Sequence, residues 1–501
     1  MGFAIASGHA LTTEAAEQAL RLGGTAVDAC VAAACMAFVA EPVLAQPLGG
    51  GFLMVAPLRG PARLLDGFVE TPRRRIPGDD VALSTVTVDF GTATQDFHIG
   101  AGTTATPCLI PALFEAHEQY GRVPMRELVA PAVDAARRGV GLTGFQAHVA
   151  RLVAPILSAT PEAAALHMRE GRLAEAGSTM ANSALADVLE VMAHEGPRFF
   201  SEGEIATALA EMPGGQIDRA ALRAARPIWR RPQMLDRAGQ SLALNPAPSL
   251  GGVQVALALA ILPHRPAPVL VARALAEVAA ARLASRIDDQ PDEAAERLLA
   301  PALVDRLQKT LAAHRPATRG TTHISVIDGN GLGAALTLSN GEGNGMILSG
   351  TGIMPNNMLG EEDLLPDGPL SWRPGTRLAS MMCPAAMRDT DGTLTMLGSG
   401  GSNRIRSAMT QVILGLADGG LGLEAAITAP RLHVDGDRLS FEDTGDEERR
   451  QALLADWPEA TVWADADMYF GGVHVARRNR SGAVDAAGDP RRAGAAVTGR
   501  G

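Results

Sequence analysis

Arg319-Gly320-Thr321-Thr322-His323-Ile324-Ser325-Val326-Ile327-Asp328 is the stretch whose residue types can do chemistry. A glycine is followed by two hydroxyl residues that open a period-2 pattern. Thr322, Ile324, Val326 and Asp328 share one face of the strand it predicts, and Thr321, His323, Ser325 and Ile327 share the other. Asp328-Gly329-Asn330-Gly331 supplies a turn, and Leu332 to Leu338 returns as a second apolar strand, which makes a β-hairpin. A threonine hydroxyl is a poor nucleophile unless a base lies beside it. Cutting the Gly320–Thr321 bond would create that base, because the new α-amino group has a pKa of about 7.7–8.0, suited to proton transfer near neutrality. The competing reading is that Thr-Thr is an ordinary β-forming start to a strand.

The elements that must position Thr321 come from the rest of the chain. Its 501 residues allow two or three domains and a large core. A net charge of −11 argues against a nucleic acid or an anionic membrane as partner, and 4% aromatic residues leave few platforms for stacked bases. Cys30, Cys35, Cys108 and Cys383 are spaced like neither a zinc site nor a disulfide framework, so they read as buried thiols of a reducing compartment. Met1 leads directly into Gly2-Phe3-Ala4-Ile5-Ala6-Ser7 without a basic n-region. The most apolar windows, Ala29 to Ala40 and Val253 to Leu262, are too short to span a bilayer. A cytoplasmic location is therefore expected, with no metal and no cofactor.

In chain order, Thr12 or Thr13 should cap a helix that runs to about Leu22. Thr25-Ala26-Val27-Asp28 is a capping box for a second helix, rich in alanine and stopped by Pro42. Leu48-Gly49-Gly50-Gly51-Phe52 feeds a strand either through a tight turn or where backbone must approach something closely. Ala62 to Asp66 is its hairpin partner. Arg73-Arg74-Arg75 reads as a solvated loop or as a face for an anionic substrate. Ile110 to Gln119 and Met125 to Arg138 have helical spacing, and Leu142 to Thr318 is expected to be mostly helical, ending in a loose connector from Leu303 to Gly320. Later, Leu394-Thr395-Met396-Leu397 runs into Gly398-Ser399-Gly400-Gly401-Ser402-Asn403-Arg404, with a helix from about Ser402 to Ala417. Strand, glycine loop and helix start make an anion site of free backbone N–H groups. The loop lacks the lysine of a P-loop, whereas Gly401 and Ser402 can supply the two donors of an oxyanion hole.

Taken together and in order, these pieces resemble the γ-glutamyltranspeptidase (glutathione hydrolase) family of N-terminal-nucleophile hydrolases. The resemblance runs through Gly23 to Ala29, Leu48 to Phe52, Tyr120-Gly121-Arg122-Val123-Pro124, Thr321-Thr322-His323, Asn356-Asn357, Gly398 to Arg404, Ala429-Pro430-Arg431 and Gly488-Asp489-Pro490-Arg491. It implies an α+β fold, a four-layer αββα sandwich, and a precursor that cuts itself before Thr321. Fragments 1–320 and 321–501 would stay associated as one folded unit. Thr321 would attack a γ-glutamyl amide, Gly401 and Ser402 would hold the oxyanion, Asn340 and Glu361 would contact the substrate amino group, and Ser380 its α-carboxylate. The substrate would be a small γ-glutamyl or related amide.

The sequence departs from the family pattern at the substrate clamp. Val69 stands where the family's carboxylate-binding arginine is expected, with Arg73, Arg74 or Arg75 as possible compensation. Ala379 precedes Ser380 where serine is common, Met358 replaces a polar contact, and Leu338 falls where a hydroxyl supports the nucleophile, with Thr337 as its substitute after a small shift. Three readings follow: a γ-glutamyltransferase or hydrolase, an amide acylase of the same fold with another acyl donor, and an unprocessed non-enzymatic homologue.

Overall fold

The computed structural model describes residues 2–89, 94–285, 291–309, 314–315, 321–361, 364–365 and 367–500. Two sheets lie face to face. The first has seven strands in the order Ile228–Arg230, Arg63–Gly67, Gly50–Ala56, Gly333–Ser339, Thr322–Ile327, Gly2–Ser7 and Ala495–Arg500, and every neighbouring pair is antiparallel. The second has six, in the order Gln233–Arg237, Gln240–Leu244, Ala385–Asp389, Leu394–Gly400, Gly472–Arg478 and Val484–Ala487. Helices Ala10–Arg21, Ala26–Ala40, Leu109–Tyr120 and Met125–Arg138 cover the outer face of the first sheet, and Leu250–Ile261, Pro268–Ser285 and Arg404–Ala417 cover the second. This is the expected αββα sandwich.

Alternation along the strands builds the layers. Phe3, Ile5, Leu53, Val55, Ile324, Val326, Leu336 and Leu338 point into the helical layer and share its core. Ala4, Phe52, Met54, Ala56 and Ala335 point the other way, into the core shared with Met387, Met396, Val473 and Val475 of the second sheet. All 15 residues of helix Ala26–Ala40 are buried, so its small side chains let it sit close against the sheet.

The capping box forms: Thr25 N donates to Asp28 Oδ2 (2.7 Å) and Asp28 N to Thr25 Oγ1 (3.2 Å). Asp28 also accepts from Arg122 N at 2.9 Å, which docks the Tyr120-to-Pro124 turn on the same helix start. Asp328 Oδ1 accepts from Asn330 N and Leu332 N to close the hairpin turn, while its Oδ2 accepts from Ala26 N (3.1 Å). One acid thus ties the Thr322 hairpin to the second helix.

Three local expectations differ. The first helix is capped by His9, whose Nδ1 accepts from Leu11 N (3.1 Å), and Thr12 and Thr13 lie buried inside it. The segment 142–318 contains strands at Ile228–Arg230, Gln233–Arg237 and Gln240–Leu244, which extend both sheets; their alternation is short and lies between prolines, so it is masked in a helix-rich stretch. The connector begins as helix Pro301–Lys309, and Gly320, on the far side of the expected cut, lies outside the described residues. The four cysteines are free and buried. Among the described residues no helix is long and apolar enough to cross a membrane.

Candidate active site

Thr321 sits at the mouth of its strand, 4% exposed, in a pocket of about 30 Å³. Phe68, Ser339, Met358, Glu361, Leu364, Ser380, Met381, Met382, Ser402 and Ile405 line the rest of it. Of the residues expected at the site, Thr321, Ser402, Glu361 and Ser380 therefore converge.

The hairpin register decides which hydroxyl accompanies Thr321. Thr322 pairs with Leu338 and His323 with Thr337, so Ser339 comes opposite Thr321. Leu338 faces the helical core instead. Thr337 is already committed. Ser325 Oγ donates to the His474 carbonyl (3.1 Å), so it must accept from His323 Nε2–H at 2.9 Å; His323 Nδ1 then accepts the Thr337 hydroxyl proton at 2.7 Å. Burial and the neighbouring His474 hold the His323 pKa well below its ordinary value, so the imidazole is neutral. Ser339, not Thr337, is the hydroxyl beside Thr321; counting the second strand one residue further would have found it.

The second sheet presses against Thr321 from below. A Cβ on Gly398 would fall 2.2 Å from His323 Cε1, and one on Gly400 would fall 2.1 Å from the Thr321 carbonyl oxygen. The glycines are needed because the two sheets touch there without an intervening side chain. Gly401 (φ 120°) and Ser402 (φ 52°) then turn the chain through left-handed backbone. Their carbonyls accept from Arg404 N and Ile405 N, both at 3.0 Å, so helix Arg404–Ala417 starts two residues later than its sequence suggests. The first amides of a helix have no intrahelical acceptor, and this turn brings Ser402 to the pocket wall with Gly401 adjoining it.

Ser380 is held by a backbone bridge to Ser249, and its Oγ accepts from Met382 N (3.1 Å). Asn340 is 1% exposed and does not line the pocket; its Nδ2 donates to Met354 O (3.0 Å). Asn357 Oδ1 accepts from Glu342 N and Gly343 N, and Asn356 bridges Leu48 O and Ala105, so this pair shapes the loop that carries Glu361. Val69 is fully buried in the core, and its neighbour Phe68 faces the pocket, stacked on Phe52 with centroids 5.3 Å apart. Arg73, Arg74 and Arg75 are exposed and line no part of the pocket; Arg73 approaches Glu70 and Arg75 lies over Trp372. The Arg377 side chain, 6% exposed, is tied to Glu70 (3.1 Å) and Asp66 (3.8 Å). Among the described residues the pocket wall thus holds one carboxyl group and no cation.

Behind Thr321, Thr322 Oγ1 donates to Glu41 Oε2 (2.8 Å), and Thr12 Oγ1 donates to Glu41 Oε1 (2.8 Å). The sequence offers no signal for this contact, which joins residues far apart in the chain.

The Gamma-glutamyltranspeptidase family model matches residues 12–499. The chain belongs to this family. It is 29% identical over 479 residues to the Acylase ACY 1 proenzyme of Pseudomonas sp. (strain V22), covering 90% of this chain and 86% of that one. It is 27% identical over 470 residues to the glutathione hydrolase proenzyme of Escherichia coli (strain K12), covering 86% and 80%. In structure it is similar to cephalosporin acylase from Bacillus halodurans, with a TM-score of 0.85, 22% identity, and 99% and 95% of the two chains covered. Family and fold together make this member an enzyme of the N-terminal-nucleophile hydrolase type, a class of acyl-transferring and hydrolysing enzymes.

Proposed function

We propose that the chain is a self-processing amide acylase whose acyl donor is not γ-glutamyl. Cleavage ahead of Thr321 yields fragments 1–320 and 321–501, which remain one folded unit. The freed α-amine takes the Thr321 hydroxyl proton, and Oγ1 attacks the amide carbonyl. The N–H groups of Gly401 and Ser402 receive the charge on the carbonyl oxygen. The amine leaves with the proton, and water releases the acyl group from its threonine ester. Ser339 steadies the hydroxyl.

The observation that carries the choice of donor is the pocket wall. Phe68, Met358, Leu364, Met381, Met382 and Ile405 give it an apolar body, with Glu361 as its charged side chain among the described residues. A γ-glutamyl group brings a carboxylate, and a carboxylate enclosed without a cation costs several kcal/mol. An acyl group with an apolar body and an N–H or ammonium directed at Glu361 has no such penalty. The similarity to acylase proenzymes of Pseudomonas supports this reading. A γ-glutamyl donor is the second reading, favoured by Glu361 and Ser380 in one pocket and by the glutathione hydrolase relatives.

Intact mass spectrometry, followed by a panel of acyl anilides, tests both parts. Wild type should separate into two fragments and Thr321→Ala should stay whole. An aliphatic or amino-substituted acyl anilide should react at least about tenfold faster than γ-glutamyl anilide, about 1.4 kcal/mol of discrimination. Preference for γ-glutamyl anilide would overturn the choice of donor. An uncut chain that hydrolyses nothing would overturn the whole reading.

A further inference from the structure

Arg492 lies behind the Gly400–Gly401 turn and is not part of the pocket wall. Its stem crosses Gly472, where a Cβ would stand 2.8 Å from Arg492 Cβ and Cδ. The residue is 6% exposed. Nη2 donates to the Met468 carbonyl (3.2 Å), whereas Nε and Nη1 have no hydrogen-bond partner among the described residues. No ion pair involves it among the described residues. The place a Gly400 Cβ would take is 3.6 Å from Arg492 Nη1 and 2.1 Å from the Thr321 carbonyl oxygen. The place a Gly401 Cβ would take is 3.1 Å from Arg492 Nη2. A missing glycine side chain is all that separates this guanidinium from the backbone of the nucleophile.

Burying a cation without a counter-ion is costly, so its position calls for a role. Burial, with Arg404 and Arg431 nearby, pushes the Arg492 pKa down to about 10, against the pull of Asp489 and Asp467, and it remains charged at neutral pH. The other groups around the strand end are two imidazoles and two carboxyls, and the carboxyl nearest Thr321, Glu361, pulls the opposite way. His323 and His474 are neutral through burial, Glu361 faces Thr321 from the pocket, and Glu41 reaches the strand only through Thr322.

We propose that Arg492 is a positioning residue that acts by charge: once the chain is cut ahead of Thr321, its guanidinium keeps the new α-amine neutral and able to accept the hydroxyl proton. This rests on the reading of Thr321 as an N-terminal nucleophile. A nearby like charge disfavours the protonated amine. From an unperturbed value of about 7.7–8.0, a fall of about one unit makes about half or more of the amine a base at pH 7.

The test measures the amine directly. Residues 1–320 and 321–501 are co-expressed, the second with an initiator methionine whose removal exposes Thr321, so that no self-cleavage is needed. Reductive methylation of the Thr321 amine, followed by mass against pH, gives its pKa in wild type, R492Q and R492K. R492Q should raise that pKa by about one unit, and R492K should stay near wild type. The acid limb of kcat/KM should move upward with it in R492Q, a shift that mere loosening of the fold would not produce. An R492Q amine that titrates with the wild-type value overturns the proposal. If the amine shifts as expected while neither protein hydrolyses any amide, the catalytic reading of Thr321 fails and the charge effect stands.

Discussion

Replacing Glu41 by glutamine should stabilise the protein above neutral pH and leave it unchanged in acid. Glu41 is fully buried, and its two oxygens accept from Thr12 and Thr322. Desolvation outweighs these bonds and raises its pKa from 4.5 to about 7. The unfolded chain therefore releases this proton at lower pH than the folded one does. Stability falls as pH rises from 4.5 to about 7, because the charged form is tolerated better in the unfolded state. At about 1.4 kcal/mol per unit, the loss totals about 3 kcal/mol. The side chain introduced by E41Q cannot titrate, and its amide still meets both hydroxyls, since each can reverse its donor role. The comparison is best made on Thr321→Ala backgrounds, where one unbroken chain unfolds. Urea midpoints of T321A and T321A/E41Q should coincide at acid pH and separate through the window, with E41Q the more stable above it. A difference that does not change with pH would refute the argument that burial, rather than hydrogen bonding, sets this proton.

Ser339→Ala should slow amide turnover about tenfold, the worth of one hydrogen bond to a reacting group, while leaving the two-fragment pattern on a denaturing gel and the melting temperature near wild type. Unchanged kcat/KM would show that the hydroxyl opposite Thr321 has no part in the chemistry. Val69→Arg should not create a carboxylate clamp, because Val69 is fully buried in the core and Phe68 is the side chain that faces the pocket. It should cost several kcal/mol of stability as an unpaired buried charge. A folded V69R that gains γ-glutamyl anilide hydrolysis would contradict this.

Local chemistry made much of this protein legible from its residues alone. The period-2 faces around Thr322, the Thr25–Asp28 capping box and the Asp328 turn depend on neighbours a few positions apart, and such interactions survive wherever the segment lies. The ordered motifs were enough to place the chain in its family and fold. The pocket is another matter. Its wall draws on Phe68, Thr321, Ser339, Met358, Glu361, Ser380 and Ser402, residues distant in sequence that meet only when two sheets close. Because side chains alternate along a strand, one position of register exchanges a core residue for a site residue. That is why Ser339, rather than Leu338 or Thr337, stands beside Thr321. Burial likewise has no sequence signature: the chain spells Glu41 and Arg492 like any other charges, and only the packed interior deprives them of water and gives each its leverage on Thr321 or its neighbour.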